Sequence, residues 1–365
     1  MSINLIKPQA KYRVAVLCGG QSSEHEVSLE SAKNVIAALD TTKYEISVVR
    51  IQHNGEWLLL EDIHQLTGLG KAATLVLGTE KAFMTLGHPL EKVPVDVIFP
   101  VLHGINGEDG TLQGVLELAN IPFVGASVLA STLCMEKSIS KQLLRSSGIL
   151  TANWLVIERE ELLTFDRDKI IAKLGFPLFV KPVNTGSSVG VSKVKDKSSL
   201  EEAIELALQY DHKIIFEEYI AGREIECSVL GNQNPQASLL GEIIPTHEFY
   251  DYDAKYIDPD GARLEIPAKL SANIINKVQQ IAIQAFKVLN CSGLARVDFF
   301  VKDSGEIYVN ELNTLPGFTK ISMYPKLWMA SGMTYSQLID ELIKLAIEKF
   351  NRDCLLSTKY KLMVA

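Results

Sequence analysis

The sequence of 365 residues has no Cys-x-x-Cys pair, and Cys18, Cys134, Cys227, Cys291 and Cys354 stand far apart. That spacing excludes a zinc knuckle or a redox dithiol and predicts buried or incidental thiols in a reducing, cytoplasmic setting. No apolar run approaches the roughly 18 residues of a membrane helix. The short run at 14–18 meets Gly19-Gly20 at once, unlike a secretory signal. No dense cluster of Lys and Arg is present, and the formal charge is −8, which argues against a nucleic-acid partner. Gly-x-Gly-x-x-Gly is absent from the first glycine loop, which excludes the usual dinucleotide fingerprint. With 47% hydrophobic and 22% charged residues, the composition is that of a soluble globular protein of roughly two or three domains.

What the sequence does contain is clearest at 295–313. Two β-rich runs flank Asp303-Ser304-Gly305, the pattern of a hairpin. With an even number of loop residues, Arg296, Asp298 and Phe300 share a face with Ile307, Val309, Glu311 and Asn313. That face is then apolar near the turn and carries a guanidinium, two carboxylates and an amide oxygen at its open end. A solvated hairpin face is the plain alternative, but the apolar neighbours predict that the face is covered. Hard oxygen donors with no His or Cys beside them suit Mg²⁺ held together with substrate phosphates.

The rest of the chain supplies a place for phosphates. Residues 14–18 read as a buried strand, 19–26 as a glycine loop and 28–39 as an amphipathic helix, the opening of an α/β unit. The loop carries Glu24, His25 and Glu26, which suit an ammonium better than a pyrophosphate. Strands at 44–51 and 96–102 follow, the second leading through His103 to a helix from Thr111. Residues 62–95 give little signal beyond a short helix or hairpin. A long helix is predicted over 128–147, with Lys137 and Lys141 one turn apart. Strands at 153–157 and 178–181, with a helix at 166–174 between them, precede the loop Asn-Thr-Gly-Ser-Ser-Val-Gly at 184–190. Here Lys181 comes before the glycines and the loop leads to a strand, so it is no Walker A loop. It reads as a hairpin lid whose backbone amides can cradle phosphate. Further strands at 213–219, 224–230 and 238–244, helices at 271–289 and 335–350, and a long polar loop at 248–261 complete the pattern.

Together these stretches resemble the D-alanine–D-alanine ligases of the ATP-grasp superfamily. The resemblance rests on GGQSSEHEVS (19–28), HGINGEDGTLQG (103–114), FVKPVNTGSSVGVSKV (179–194), EEYIAGREIECSVLG (217–231), FYDYDAKY (249–256), ARVDFF (295–300) and NELNTLPGFTKISMYP (310–325). It implies an α/β chain: an N-terminal open α/β substrate-binding domain (1–125) followed by two α+β subdomains (126–216 and 217–365) that form an ATP-grasp fold. Position by position, it implies that Lys137, Lys181, Lys255 and the Ser187 loop meet the phosphates of ATP. Glu217 and Ile220 would meet the adenine and Glu224 the ribose. Asp298, Glu311 and Asn313 match the ligands of two Mg²⁺ ions, for which Mn²⁺ can substitute. Glu24, with His103 nearby, would take the ammonium of the first D-alanine. Ser322 and the Met323 backbone would take the carboxylate of the second, and Arg296 and the Gly317 amide match oxyanion donors. Glu24, Ser187 and Tyr256 match a hydrogen-bonded set that closes the site. The resemblance further implies peptidoglycan precursor synthesis by a cytoplasmic homodimer, with no membrane or nucleic-acid partner. A D-alanine–D-lactate ligase, another ATP-grasp carboxylate–amine ligase, a dinucleotide-dependent oxidoreductase and a non-catalytic nucleotide-binding module are the alternatives.

Overall fold

The computed structural model describes residues 11–245 and 262–356. The predicted loop at 248–261, and with it Lys255 and Tyr256, lies outside the described residues.

The first sheet is built on β1 (Tyr12–Gly19), β2 (Tyr44–Ile51) and β7 (Val97–Pro100), with β1 parallel to both neighbours. Residues 14–18 are buried without alternation because helices cover both faces of the sheet. The crossover from β1 to β2 is α1 (His25–Ala38). On the other face, α2 (Thr111–Leu118) contributes Leu112 and Leu116 to a second layer of core. Between β2 and β7 the chain adds β3 (Trp57–Leu60), β4 (Gly70–Leu75), β5 (Ala82–Thr85) and β6 (Lys92–Pro94) as an antiparallel extension, giving the order β6-β5-β4-β3-β2-β1-β7. The low-signal connection at 62–95 therefore carries three short strands. Its strands are short, and Leu69, Leu77, Leu86 and Leu90 are exposed beside them, which blurs the alternation.

The predicted helix at 128–147 is two helices, α3 (Val128–Met135) and α4 (Lys137–Ser146). Apolar periodicity runs through the junction, but Glu136 is extended (φ −77°, ψ 96°) and its carboxylate accepts the Ile139 amide at 2.6 Å as the cap of α4. The break makes Lys137 the first residue of a helix. A four-stranded antiparallel sheet follows in the order β10-β9-β11-β8, from β8 (Trp154–Glu158), β9 (Leu178–Pro182), β10 (Ser192–Val194) and β11 (Lys213–Glu218). Its core is closed by α5 (Arg167–Leu174) and α6 (Leu200–Ala207).

The third sheet, also antiparallel, has the order β14-β13-β12-β15-β16 and uses β12 (Arg223–Gly231), β13 (Gln236–Pro245), β14 (Ala262–Glu265), β15 (Gly293–Val301) and β16 (Ile307–Asn313). Helix α7 (Ala272–Val288) covers one face, together with Ala130, Cys134 and Leu144 from α3 and α4. Helix α8 (Met323–Ala330) touches the other face. The last helix, α9 (Tyr335–Asp353), returns to the first sheet: Leu338, Leu342 and Ile343 pack with Val14, Val16 and Val35. A capping box at Thr334 and Gln337 starts it.

The β15–β16 hairpin corrects the predicted register. Val301 pairs with Ile307, so the loop has five residues, an odd number, and Phe300 lies opposite Tyr308 rather than on the face of Ile307 and Val309. A bulge at Asn310 then shifts the ladder by one residue. Beyond it Asp298 pairs with Glu311 and Arg296 with Asn313, as expected at the open end. Val297, Phe299, Val301, Ile307 and Val309 turn inward to the α7 core.

Because α9 seals the first core from the far end of the chain, Leu342→Ala should destabilise the protein by about 2–5 kcal/mol. Thermal unfolding followed by circular dichroism checks this, and an unchanged Tm would contradict the packing.

Candidate active site

The three sheets meet around a cleft of about 860 Å³. All fifteen predicted site residues that fall within the described segments line it. They arrive from separate elements: Glu24 at the start of α1, His103 after β7, Lys137 on α4, Lys181 on β9 and Ser187 on the loop after β9. Glu217 lies next to the end of β11, Ile220 follows the strand, and Glu224 belongs to β12. Arg296 and Asp298 come from β15, Glu311 and Asn313 from β16, and Gly317, Ser322 and Met323 from the approach to α8.

One wall is cationic. The buried Glu217 carboxylate accepts from Lys181 Nζ at 2.7 Å and lies 3.2 Å from Lys141 Nζ. Burial pushes its pKa up, but the two ammonium groups outweigh burial and hold it down at about 2. Burial lowers the pKa of Lys137 and Lys141. It opposes the charge on Lys181 too, but Glu217 more than compensates. Lys137 donates to the carbonyl oxygens of Thr185 and Val183, which ties α4 to the Gly-Ser loop. Lys137 and Lys181 line this wall and Lys141 lies buried behind it, so its ammonium groups outnumber the Glu217 carboxylate, as a polyphosphate requires.

The opposite wall is anionic. Arg296 places a fork on Asp298, with Nε–Oδ1 and Nη2–Oδ2 both 2.7 Å, and its Nε is 3.0 Å from Glu226 Oε2 on the neighbouring strand. Burial opposes the guanidinium charge, yet Asp298 and Glu226 raise its pKa well above the usual value. Asp298 and Glu311 face each other across the ladder and Asn313 lies two pairs further along, opposite Arg296. The fork leaves lone pairs on each Asp298 oxygen. An all-oxygen donor set beside a cationic wall fits a hard divalent cation bound with phosphate. A second group, His25, Glu26 and His53, has ligand atoms within 4.8 Å of one another, but its rings stack at 3.8 Å, so their lone pairs run side by side and do not converge.

The third side is closed by the N-terminal segment. Ser187 Oγ donates to Glu24 Oε1, joining the Gly-Ser loop to the start of α1. Ser187 and Ser188 both have left-handed φ, +50° and +59°, a strained pair held in place by its surroundings. His103 is buried; its Nδ1 donates to the Leu315 carbonyl at 3.0 Å and its Nε2 lies 3.2 Å from Ser31 Oγ. Burial disfavours the imidazolium, but Glu108 and Glu24 prevail and raise its pKa. Burial also raises the pKa of Glu108, and the charge of Glu24 adds to it. Gly317 approaches Ser322 so closely that a Cβ would lie 2.6 Å from Oγ, while that hydroxyl accepts the Thr319 amide at 3.0 Å.

Sequence reasoning missed Glu108, Glu226, Ser28 and Ser31. Ser31 Oγ also accepts the Phe318 amide at 3.1 Å, and Ser28 Oγ accepts the Gly19 amide at 2.7 Å. Both serines lie on the buried face of α1, beside Ala32 and Val35. A hydroxyl on an otherwise apolar stripe was the available signal. Glu108 and Glu226 gave none, since a lone Glu in a polar loop or strand reads as solvated.

The depressed pKa of Glu217 has a pH signature. Its charge stabilises the fold above the ordinary carboxylate value of 4.5, and that stability is lost as pH falls from there towards about 2. Glu217→Gln should flatten the acid limb of a stability-against-pH curve, removing about 3 kcal/mol of its drop. An acid limb as steep as the parent's would contradict the pairing.

Comparison with known proteins agrees with this geometry. A family model described as D-ala D-ala ligase N-terminus matches residues 13–126, and one described as D-ala D-ala ligase C-terminus matches 143–344. A D-alanine–D-alanine ligase of Oceanobacillus iheyensis is 49% identical over 355 residues, covering 94% of this chain and 97% of that protein. The solved D-alanine-D-alanine ligase from Coxiella burnetii aligns with a TM-score of 0.85 at 41% identity, covering 94% of this chain and 96% of that one. The VanG D-Ala:D-Ser ligase from Enterococcus faecalis aligns at 0.84 and 38% identity, over 92% of this chain and 100% of that one. Two facing antiparallel sheets around a charged cleft, preceded by an α/β sheet, are thus the ATP-grasp fold, and the chain belongs to the D-alanine–D-alanine ligase family.

Proposed function

We propose that the chain joins two molecules of D-alanine at the expense of ATP, through an acyl phosphate. The observation that carries this reading is the cleft with a lysine-rich wall and an acidic one, with Glu24 and Arg296 in its lining. Lys137, Lys181, Lys255 and the amides of the Ser187 loop hold the triphosphate. Glu217 and Ile220 meet the adenine edge and Glu224 the ribose. Asp298, Glu311 and Asn313 would hold two Mg²⁺ ions, or Mn²⁺ in their place, which supply charge neutralisation between the phosphates and the substrate carboxylate.

Glu24, with His103 beside it, binds the ammonium of the first D-alanine. Its carboxylate oxygen attacks the γ-phosphorus and ADP leaves, so a poor electrophile becomes an acyl phosphate. The second D-alanine is oriented by Ser322 and the Met323 backbone. Its ammonium gives one proton to solvent and the amine attacks the acyl carbon; the tetrahedral oxyanion is met by Arg296 and the Gly317 amide, and inorganic phosphate departs with the second proton shed by the nitrogen. The buried ion pairs hold Arg296 in place before charge develops, so little reorganisation is needed. Closure of the Ser187 loop onto Glu24, with Tyr256 as the third member of the set, keeps water from the acyl phosphate.

The division into 1–125, 126–216 and 217–365 is proposed on the three sheets, with α3 and α4 packed on the third core. The family resemblance further supports a cytoplasmic homodimer making a peptidoglycan precursor, without nucleic-acid or membrane partners. All five cysteines are free thiols, and no helix among the described residues is long and apolar enough to cross a membrane.

Phosphate release from ATP with D-alanine, compared with D-alanine plus D-lactate, tests the reaction: dipeptide should dominate, and a clear preference for D-lactate would sink the assignment. Arg296→Ala should lower kcat by about 10²-fold or more, roughly 3 kcal/mol of transition-state stabilisation. A loss confined to KM would remove Arg296 from the oxyanion site.

A further inference from the structure

Lys141 is among the largest fully buried side chains of the protein, with 2% exposure, yet it carries an ammonium and does not line the cleft. Lysines are almost never buried so completely without a specific partner. It has two. Its Nζ lies 3.2 Å from Glu217 Oε1, on the side away from Lys181, and donates to the Asn310 carbonyl at 3.4 Å. Glu217 Oε1 makes no well-aligned hydrogen bond, so the charge of Lys141 is what compensates that oxygen. Asn310 is the bulged residue of β16, the one that moves Glu311 and Asn313 into register with Asp298 and Arg296.

We infer that Lys141 is a positioning residue of the nucleotide site: it neutralises Glu217 from behind and holds the Asn310 bulge that presents Glu311. The inference rests on the proposed reading of Glu217 as an adenine contact and Glu311 as a metal ligand, and deepens it. Without Lys141, Glu217 keeps a single direct ion pair, Lys181, and competes with the phosphates for it. With Lys141 in place, Lys181 is free to turn to the nucleotide while Glu217 remains ionised and fixed. Burial works against the ammonium, as the lowered pKa of Lys141 reflects, so the neighbouring carboxylate sustains its charge. One buried cation thereby links the purine end of the cleft to its metal end.

Steady-state kinetics of the full-length chain test this, with Lys141→Met, Lys141→Gln and Lys141→Arg measured against the parent by phosphate release. Lys141→Met should raise KM for ATP by about tenfold or more and raise the Mg²⁺ concentration for half-activation, with KM for D-alanine within about twofold of the parent. Lys141→Gln, which keeps a donor without the charge, should lie between, and Lys141→Arg should recover most of the ATP affinity. A purely structural role would lower Tm and the active fraction while leaving KM for ATP unchanged in all three, and that result overturns the inference. If Lys141→Met does not fold, the Gln and Arg variants decide; if neither of these folds, the residue belongs to the core and the inference fails. A parent that releases no phosphate with D-alanine sinks the proposed function itself, before any variant is made.

Discussion

A carboxylate buried between two ammonium groups is the constraint on which the cleft depends. Glu217 sits next to the end of β11, Lys181 on the adjacent strand β9, and Lys141 on a helix packed against the third sheet. Burying any one of these charges alone costs several kcal/mol, so the arrangement is stable only as a set. That requirement fixes how the second sheet docks on the third and leaves the excess positive charge facing the cleft. The acidic wall obeys the same rule with signs reversed: Arg296 is enclosed by Asp298 and Glu226, and the remaining negative charge faces the lysines. That balance of charge suits a polyphosphate bound together with hard cations.

The first sheet joins the third through a shared apolar core, in which Leu230, Leu294, Phe318, Tyr324 and Trp328 pack with Val14, Val16 and Phe99, and polar contacts continue the junction toward the cleft. Ser22, Ser28 and Ser31 tie the glycine loop and α1 to the strand ends, and Ser31 and His103 reach the 315–318 turn. Ser187 then bridges from the Gly-Ser loop to Glu24. The Gly-Ser loop is thus tied to α1 by directed bonds, whereas the cores behind the cleft are sealed by α7 and α9. That division of labour suits chemistry in which an intermediate must be kept from water.

Much of this was legible in the residues. Buried strands such as Tyr12–Gly19 and long periodic helices such as Ala272–Val288 announce themselves by pattern, and glycine loops between them mark the strand ends where ligands gather. The open end of the β15–β16 hairpin was also readable, but only because two errors cancel. The loop is odd, not even, and the bulge at Asn310 restores the expected pairing. No periodicity rule locates a bulge, since it is set by the packing of Val309 on one side and the Lys141 contact on the other. The break at Glu136 was hidden for a related reason: a Glu serving as a helix cap is chosen by tertiary partners, here Lys213, and its sequence looks like uninterrupted helix. Lys141, Glu108 and Glu226 bear on the site through burial, which a sequence does not display.

The central claim is that opposed charged walls bind a nucleotide only together with a divalent cation. Isothermal titration calorimetry of ADP into the full-length protein, with and without Mg²⁺, tests it most directly. Binding should be strong with Mg²⁺ and weakened at least tenfold when the cation is removed by chelation. Equal affinity in both conditions, or no uptake of nucleotide in either, would contradict the account.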